Sequence, residues 1–242
     1  MGVKTINRAE SSNRQKRKSW TVQQSVFVYR LAQFWVGVLF RYWGGGFRAV
    51  GVENVPAAGG AFLIANHTSG ADPFVLGYPI KHRLLRGPGK IEIFESPFFS
   101  YIMRKLGMFP LRQGVADAAG VRTMVELYRS GRVVAIYPEG GRSESGELSP
   151  FSPAFARLAI KLRALLVPAA IAGARDFLPI GTYRPRRNAP IAVVFGEPFE
   201  VSQFYDQTLK PAMLERAADF MQSKVAELLP AARAERKKLL KG

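Results

Sequence analysis

The feature that most limits the fold of this chain is a repeated switch between two kinds of apolar pattern. Short apolar runs at 47–52, 61–65, 132–137, 165–171 and 191–195 alternate with longer stretches of helical spacing at 73–79, 97–106, 115–130, 153–163 and 211–229. The run Ala61-Phe62-Leu63-Ile64-Ala65 is continuous, bounded by Gly59-Gly60 and followed by small polar residues, which reads as a buried strand. Strands and helices in alternation predict an α/β layered domain with a largely parallel central sheet flanked by helices. The length of 242 residues and an apolar content of 48% give such a domain a sizeable core. The Pro- and Arg-rich stretch 179–190 reads as a loop.

Four segments follow from composition. Residues 1–18 read as a basic mobile tail, 19–46 as an amphipathic membrane-associating helix, 47–230 as the α/β domain and 231–242 as a basic C-terminal tail. From Trp20 to Trp43, Gln23, Arg30, Gln33, Gly37 and Arg41 fall on one narrow arc at 100° per residue. Phe27, Leu31, Phe34, Trp35, Val38 and Tyr42 fill the broad remainder. The apolar centre, Val26 to Phe40, is shorter than the roughly 20 residues of a spanning helix and contains Arg30. A helix lying in a membrane interface fits this pattern, with a helix packed on the domain's own core as the plainer alternative. No small-residue cleavage site follows it, against a signal peptide.

The formal net charge is +17, which implies an anionic partner: nucleic acid, anionic lipid or a phosphorylated substrate. Lys4, Arg8, Arg14, Lys16, Arg17 and Lys18 crowd the start, and Arg233, Arg236, Lys237, Lys238 and Lys241 the end. Arg184, Arg186 and Arg187 form a third cluster. The absence of cysteine removes disulfides, thiolate zinc sites and cysteine nucleophiles together. With only His67 and His82, a histidine-rich metal site is not expected. The chain holds no P-loop, no His-Glu-x-x-His and no internal repeat, and Gly141 to Gly146 is one residue too long for a Gly-x-Ser-x-Gly elbow.

Two loops carry candidate chemistry. Asn66-His67-Thr68-Ser69-Gly70-Ala71-Asp72-Pro73 leaves the strand 61–65, where α/β folds present reactive groups to a cleft. A four-residue loop lets Asp72 reach the imidazole, and such a pair is the core of a general-base site. Asp72 also suits a helix N-cap with Pro73 at the first helical position, and His67 could then be an ordinary loop residue. The second loop, Tyr137-Pro138-Glu139-Gly140-Gly141-Arg142-Ser143, leaves the strand 132–137. Its glycines let backbone approach a ligand and free N–H groups for an anion, and Arg142 offers a planar fork for phosphate. Glu139 could bind a substrate hydroxyl or hold Arg142.

Together the two loops resemble the glycerophospholipid acyltransferase family, best known for the 1-acyl-sn-glycerol-3-phosphate (lysophosphatidic acid) acyltransferases. Two further blocks are similar. One is Lys90-Ile91-Glu92-Ile93-Phe94-Glu95-Ser96-Pro97 leading to Gly107-Met108-Phe109-Pro110-Leu111-Arg112, and the other is Val167-Pro168-Ala169-Ala170. The resemblance spans residues 45–200. It implies that His67 is the general base and Asp72 its orienting partner, with Glu139, Gly140, Gly141 and Arg142 in the acceptor pocket. It also implies that Arg142 and Arg112 bind the glycerol phosphate, with Lys90 near them. Gly141 stands where threonine is usual, which removes a hydroxyl and a Cβ beside the acceptor; Ser100 and Ala169 replace a common glycine and valine.

The expected reaction moves a fatty acyl group from an acyl thioester, acyl-CoA or acyl-carrier protein, to a lysophospholipid hydroxyl. It needs no covalent acyl-enzyme, metal or prosthetic group. The expected partners are an anionic phospholipid membrane, the acceptor and the donor, with no specific nucleic acid, on the cytoplasmic face of the cell membrane. Composition alone supports the rival nucleic-acid reading, since the chain has no zinc finger, helix-turn-helix or RNA-recognition aromatics. A lipid hydrolase would use the same His–Asp pair on water.

Overall fold

The structure, a computed structural model, describes residues 20–112 and 117–241. The basic tail read over 1–18 lies outside the described residues. Seven strands form one sheet: β1 Phe47–Val50, β2 Ala61–Ala65, β3 Leu85–Lys90, β4 Met108–Leu111, β5 Val133–Ile136, β6 Leu166–Ala172 and β7 Ile191–Phe195. Their order is β1-β7-β6-β2-β5-β3-β4, and every pairing is parallel except β6 with β7.

β3 and β4 had no strand signal because they read Leu-Arg-Gly-Pro-Gly-Lys and Met-Phe-Pro-Leu. The sheet tolerates both prolines. The β3–β5 ladder runs through Leu85 and Arg86, short of Pro88, and Pro110 lies on the edge strand.

The helices are α1 Val26–Val38, continued by a π-helical turn over Leu39–Trp43, then α2 Asp72–Gly77, α3 Pro97–Lys105 and α4 Ala118–Arg129. They continue with α5 Pro153–Leu162, α6 Ala174–Phe177, α7 Pro211–Ala226 and α8 Leu229–Leu239. Their starts follow local chemistry. Ser25, Asp117 and Ser152 accept first-turn N–H groups, and α3, α5 and α7 carry proline in the first turn.

The core lies on both faces of the sheet, and alternate strand residues divide between them. Leu63, Ala65, Val133 and Ala135 face α2, Phe40 and Phe177; Phe62, Ile64, Val134 and Ile136 face α4, α5 and α7. Parallel pairing places the C-terminal ends of β2, β5, β3 and β4 along one edge. The loops that leave this edge carry the candidate residues.

Two expectations need correcting. The first helix begins at Val26 rather than near Trp20; the Trp20 backbone N–H donates to Thr123 Oγ1 at 2.7 Å, and its side chain packs on the opposite core. Within α1 the arc read as polar turns inward at Gln33 and Gly37, beside buried Tyr29. Gln33 Nε2 donates to the Gly77 and Ile80 carbonyls at 2.7 and 3.0 Å, and Arg30 donates to Gln33 Oε1 and the Lys81 carbonyl. These polar side chains cap carbonyls at the end of α2, so burial suits them. Phe27, Leu31, Phe34, Trp35 and Tyr42 remain exposed, Phe27 at 75% and Tyr42 at 83%. Among the described residues, no helix is long and apolar enough to cross a membrane.

The second correction is the tail read over 231–242, which is helical as far as Leu239 and packs on the sheet. Ala232 is buried beside Ala170, Ala172 and Val194. Arg236 Nε donates to the Pro190 carbonyl at 2.9 Å and the guanidinium pairs with Asp176, while Glu235 pairs with Arg48. Partners for its charges let a basic segment dock instead of staying in solvent.

Candidate active site

β2 ends at Ala65, and Asn66 ties the following loop to β6. Its side chain donates to the Ile171 carbonyl at 3.0 Å and accepts the Ile171 N–H at 2.8 Å. The loop then folds back on itself. Asp72 Oδ2 accepts the backbone N–H groups of Thr68 and Ser69 at 2.7 and 2.8 Å, and lies 2.8 Å from His67 Nδ1. A carboxylate only accepts, so Nδ1 carries the proton and Nε2 keeps its lone pair.

Asp72 is fully buried and does not cap α2. It is the first helical residue; the cap position is Ala71, which makes no side-chain cap bond. The N-cap role is thereby replaced by support of the loop and of His67. Ser69 Oγ donates to the Leu178 carbonyl at 2.7 Å and accepts from the Ala71 N–H at 3.0 Å, fixing the far side of the loop.

The second loop is fastened to the first through the backbone of His67. Glu139 Oε1 accepts the His67 N–H at 2.6 Å, Oε2 accepts the Ser149 N–H at 3.0 Å, and the Ser143 N–H donates to the His67 carbonyl at 2.7 Å. Both Glu139 oxygens are thus engaged by backbone, and the side chain makes no bond to Arg142. Burial pushes the Glu139 carboxyl above its ordinary pKa, and the two N–H donors oppose that shift. Gly140 has φ +76°, the left-handed region that favours glycine. A Cβ at Gly141 would meet nothing within 4 Å, so the space beside it is open. Arg142 is exposed, and its Nη1 lies 3.8 Å from where a Gly70 Cβ would stand, which puts the guanidinium beside the His67 loop.

Lys90 ends β3 and Arg112 directly follows β4 on the same edge, but neither contacts the dyad. Lys90 pairs with Glu92 at 3.4 Å, and the Arg112 N–H donates to Asp117 at 3.0 Å. The structure therefore brings together His67, Asp72, Glu139 and the 140–143 turn, and leaves Lys90 and Arg112 on the flank.

Tyr137 opens the second loop and completes the site. Its ring stacks on the imidazole, with centroids 4.0 Å apart and 14° between planes. Its hydroxyl is buried without a hydrogen-bond partner among the described residues, and burial followed by the Asp72 charge raises its pKa well above the ordinary tyrosine value. No sequence signal separates this tyrosine from a core aromatic at a strand end. From it an apolar groove, open to solvent, runs between α1 and β3, past Tyr29, Val36, Phe74, Leu106 and Met108. Among the described residues, no group of three or more His, Cys, Asp or Glu could hold a metal ion.

This arrangement can take a proton from a hydroxyl at Nε2 beside an apolar groove and an arginine. Comparison with known proteins bears on the family and the fold. A family model described as Acyltransferase matches residues 46–172. A 1-acyl-sn-glycerol-3-phosphate acyltransferase of Bacillus subtilis is 26% identical over 160 residues, 66% of this chain and 77% of that protein. One from Borreliella burgdorferi is 26% identical over 137 residues, covering 52% of this chain and 51% of its own length. The crystal structure of the 1-acyl-sn-glycerophosphate acyltransferase of Thermotoga maritima shares the fold, with a TM-score of 0.66 and 21% identity over 84% of this chain and 80% of that one.

Proposed function

The chain belongs to the acyltransferase family, and from that premise we propose that it acylates the free hydroxyl of 1-acyl-sn-glycerol 3-phosphate to give phosphatidic acid. The acyl group comes from a thioester, acyl-CoA or acyl-carrier protein, consumed as co-substrate without a metal or prosthetic group. The acceptor is the one named for the relatives. The observation that carries the reading is the His67–Asp72 pair, fastened by backbone and stacked on Tyr137, whose side chain lines an apolar groove.

In this mechanism His67 Nε2 removes the hydroxyl proton as the oxygen attacks the thioester carbonyl. The new C–O bond forms, the C–S bond breaks, and the imidazolium returns its proton to the departing thiolate. A positioned base contributes about 10²–10⁴ in rate, and alignment of two bound substrates supplies much of the remainder. Arg142 holds the phosphate, with Arg112 and Lys90 adding positive charge at the edge, and the groove takes an acyl chain. The exposed apolar face of α1 rests in the membrane interface on the cytoplasmic face. It spares the enzyme from drawing an acyl chain into water at about 0.8 kcal/mol per methylene. The open space at Gly141 favours a second reading, in which a larger lysophospholipid or a glycolipid is the acceptor.

The test is purified enzyme with a panel of acceptors and acyl thioesters, read by mass spectrometry. Phosphatidic acid should dominate, and a non-phosphorylated monoacylglycerol should be a poor acceptor. Equal use of monoacylglycerol would remove the phosphate pocket, and thiol release without any acceptor would make the protein a hydrolase.

A further inference from the structure

The arginine cluster of the 179–188 loop has no part in the reaction above, yet its placement is specific. The loop begins beside the catalytic turn, where the Leu178 carbonyl accepts Ser69 Oγ at 2.7 Å. It ends on the last turn of the first helix. Trp43 Nε1 donates to the Pro185 carbonyl at 3.0 Å, and the Asn188 N–H donates to the Trp43 carbonyl at 3.1 Å. The Arg187 guanidinium sits 4.8 Å from the centre of the Trp43 ring, and the Arg186 N–H donates to the Phe177 carbonyl at 2.7 Å. Asn188 takes the turn at φ +52°, which asparagine tolerates better than most residues.

The side chains of this stapled loop are turned to solvent. Tyr183 is 98% exposed, and Arg184, Arg186 and Arg187 are all exposed. None of these three arginines has a carboxylate partner among the described residues, whereas Arg48, Arg163, Arg233 and Arg236 each have one. The loop thus adds a tyrosine and three unneutralised guanidinium groups to the end of an exposed apolar helix that already carries Tyr42 and Trp43. Aromatic rings of this kind settle at the headgroup level of a bilayer, and guanidinium forks match phosphate oxygens.

We propose that the 179–188 loop is a binding site for the anionic phospholipid headgroups of the bilayer on which α1 rests. It pins the C-terminal end of that helix at the surface and holds the catalytic turn, through Leu178 and Ser69, beside the membrane. The proposal rests on the membrane reading of α1 and adds a lipid preference to it. Each arginine near an anionic leaflet contributes about fivefold in partition, and salt weakens the effect over a Debye length of about 10 Å at 0.1 M.

The experiment is co-sedimentation of the full chain with vesicles of phosphatidylcholine alone, or with one third phosphatidylglycerol. The Arg184→Ala, Arg186→Ala, Arg187→Ala triple variant should bind the anionic vesicles at least tenfold more weakly and the neutral ones as wild type does. Arg184→Glu leaves the Trp43 staple intact and should alone weaken anionic binding about fivefold or more, with transfer to acceptor in neutral detergent micelles unchanged. Wild-type binding of anionic vesicles by Arg184→Glu and by the triple variant would overturn the proposal. If the wild-type chain bound neither vesicle, the membrane reading of α1 would fail and the proposal with it. Loss of anionic binding alone supports the loop site specifically.

Discussion

Replacing Asp72 by Asn tests the dyad at nearly constant volume. Oδ2 faces three donors, His67 Nδ1–H and the N–H groups of Thr68 and Ser69, at 2.8, 2.7 and 2.8 Å. An amide nitrogen cannot face two backbone N–H groups, so the amide oxygen must take the Oδ2 position and His67 keeps its tautomer. What disappears is the negative charge beside the imidazolium that forms during proton transfer. Two unit charges 4 Å apart attract by about 4 kcal/mol at an effective dielectric of 20. The backbone donors already draw on this carboxylate, so a loss of about 3 kcal/mol is the working figure. At about 1.4 kcal/mol per decade the rate falls roughly 10²-fold. That is less than the ~10⁴ expected where the tautomer is lost as well.

The NH₂ group then occupies the place of Oδ1, which is buried without a partner among the described residues. That position lacks a bond in the unsubstituted chain as well, so Tm should move by only a few degrees, at roughly 2–4 °C per kcal/mol in a chain of this size. The assay is initial-rate thiol release with kcat and KM resolved, beside thermal melting. A kcat within threefold of wild type, with or without a lowered Tm, would refute the electrostatic role and leave Asp72 as a loop brace. A loss of kcat approaching ~10⁴ would refute the amide orientation and the retained tautomer.

Three other substitutions probe separate parts of the site. Arg142→Lys should raise the acceptor KM at least tenfold while kcat changes little, because a point charge does not reproduce a bidentate fork; an unchanged KM removes Arg142 from the phosphate. Gln33→Leu should lower Tm by several degrees, since the Gly77 and Ile80 carbonyls lose their donor at about 1–3 kcal/mol in all; an unshifted melt would mean α1 is not held by this side chain. Tyr137→Phe keeps the ring on His67 and removes a buried hydroxyl without a protein partner, so Tm should rise by a few degrees with transfer retained. A lowered Tm would show that the hydroxyl is hydrogen-bonded in solution.

The layered α/β plan is legible in the residues alone, because β2, β5, β6 and β7 are continuous apolar runs suited to a doubly covered strand. The sequence also put His67 and Asp72 within reach of each other, since five residues closing a turn is a local constraint. Long-range contacts decided the rest. β3 and β4 are strands because neighbours complete their hydrogen bonds, which overrides the Gly and Pro content of each segment. α1 turns its polar arc inward because Gln33 finds carbonyls at the end of α2, and no helical wheel contains that partner. Glu139 spends both oxygens on the backbone of His67 and Ser149, and Tyr137 meets the imidazole from the end of β5, a strand far from β2 in sequence. Periodicity records which face of an element is apolar; which surface that face meets, and which buried polar atoms it satisfies, depends on residues distant in sequence and is fixed only when the sheet closes its order.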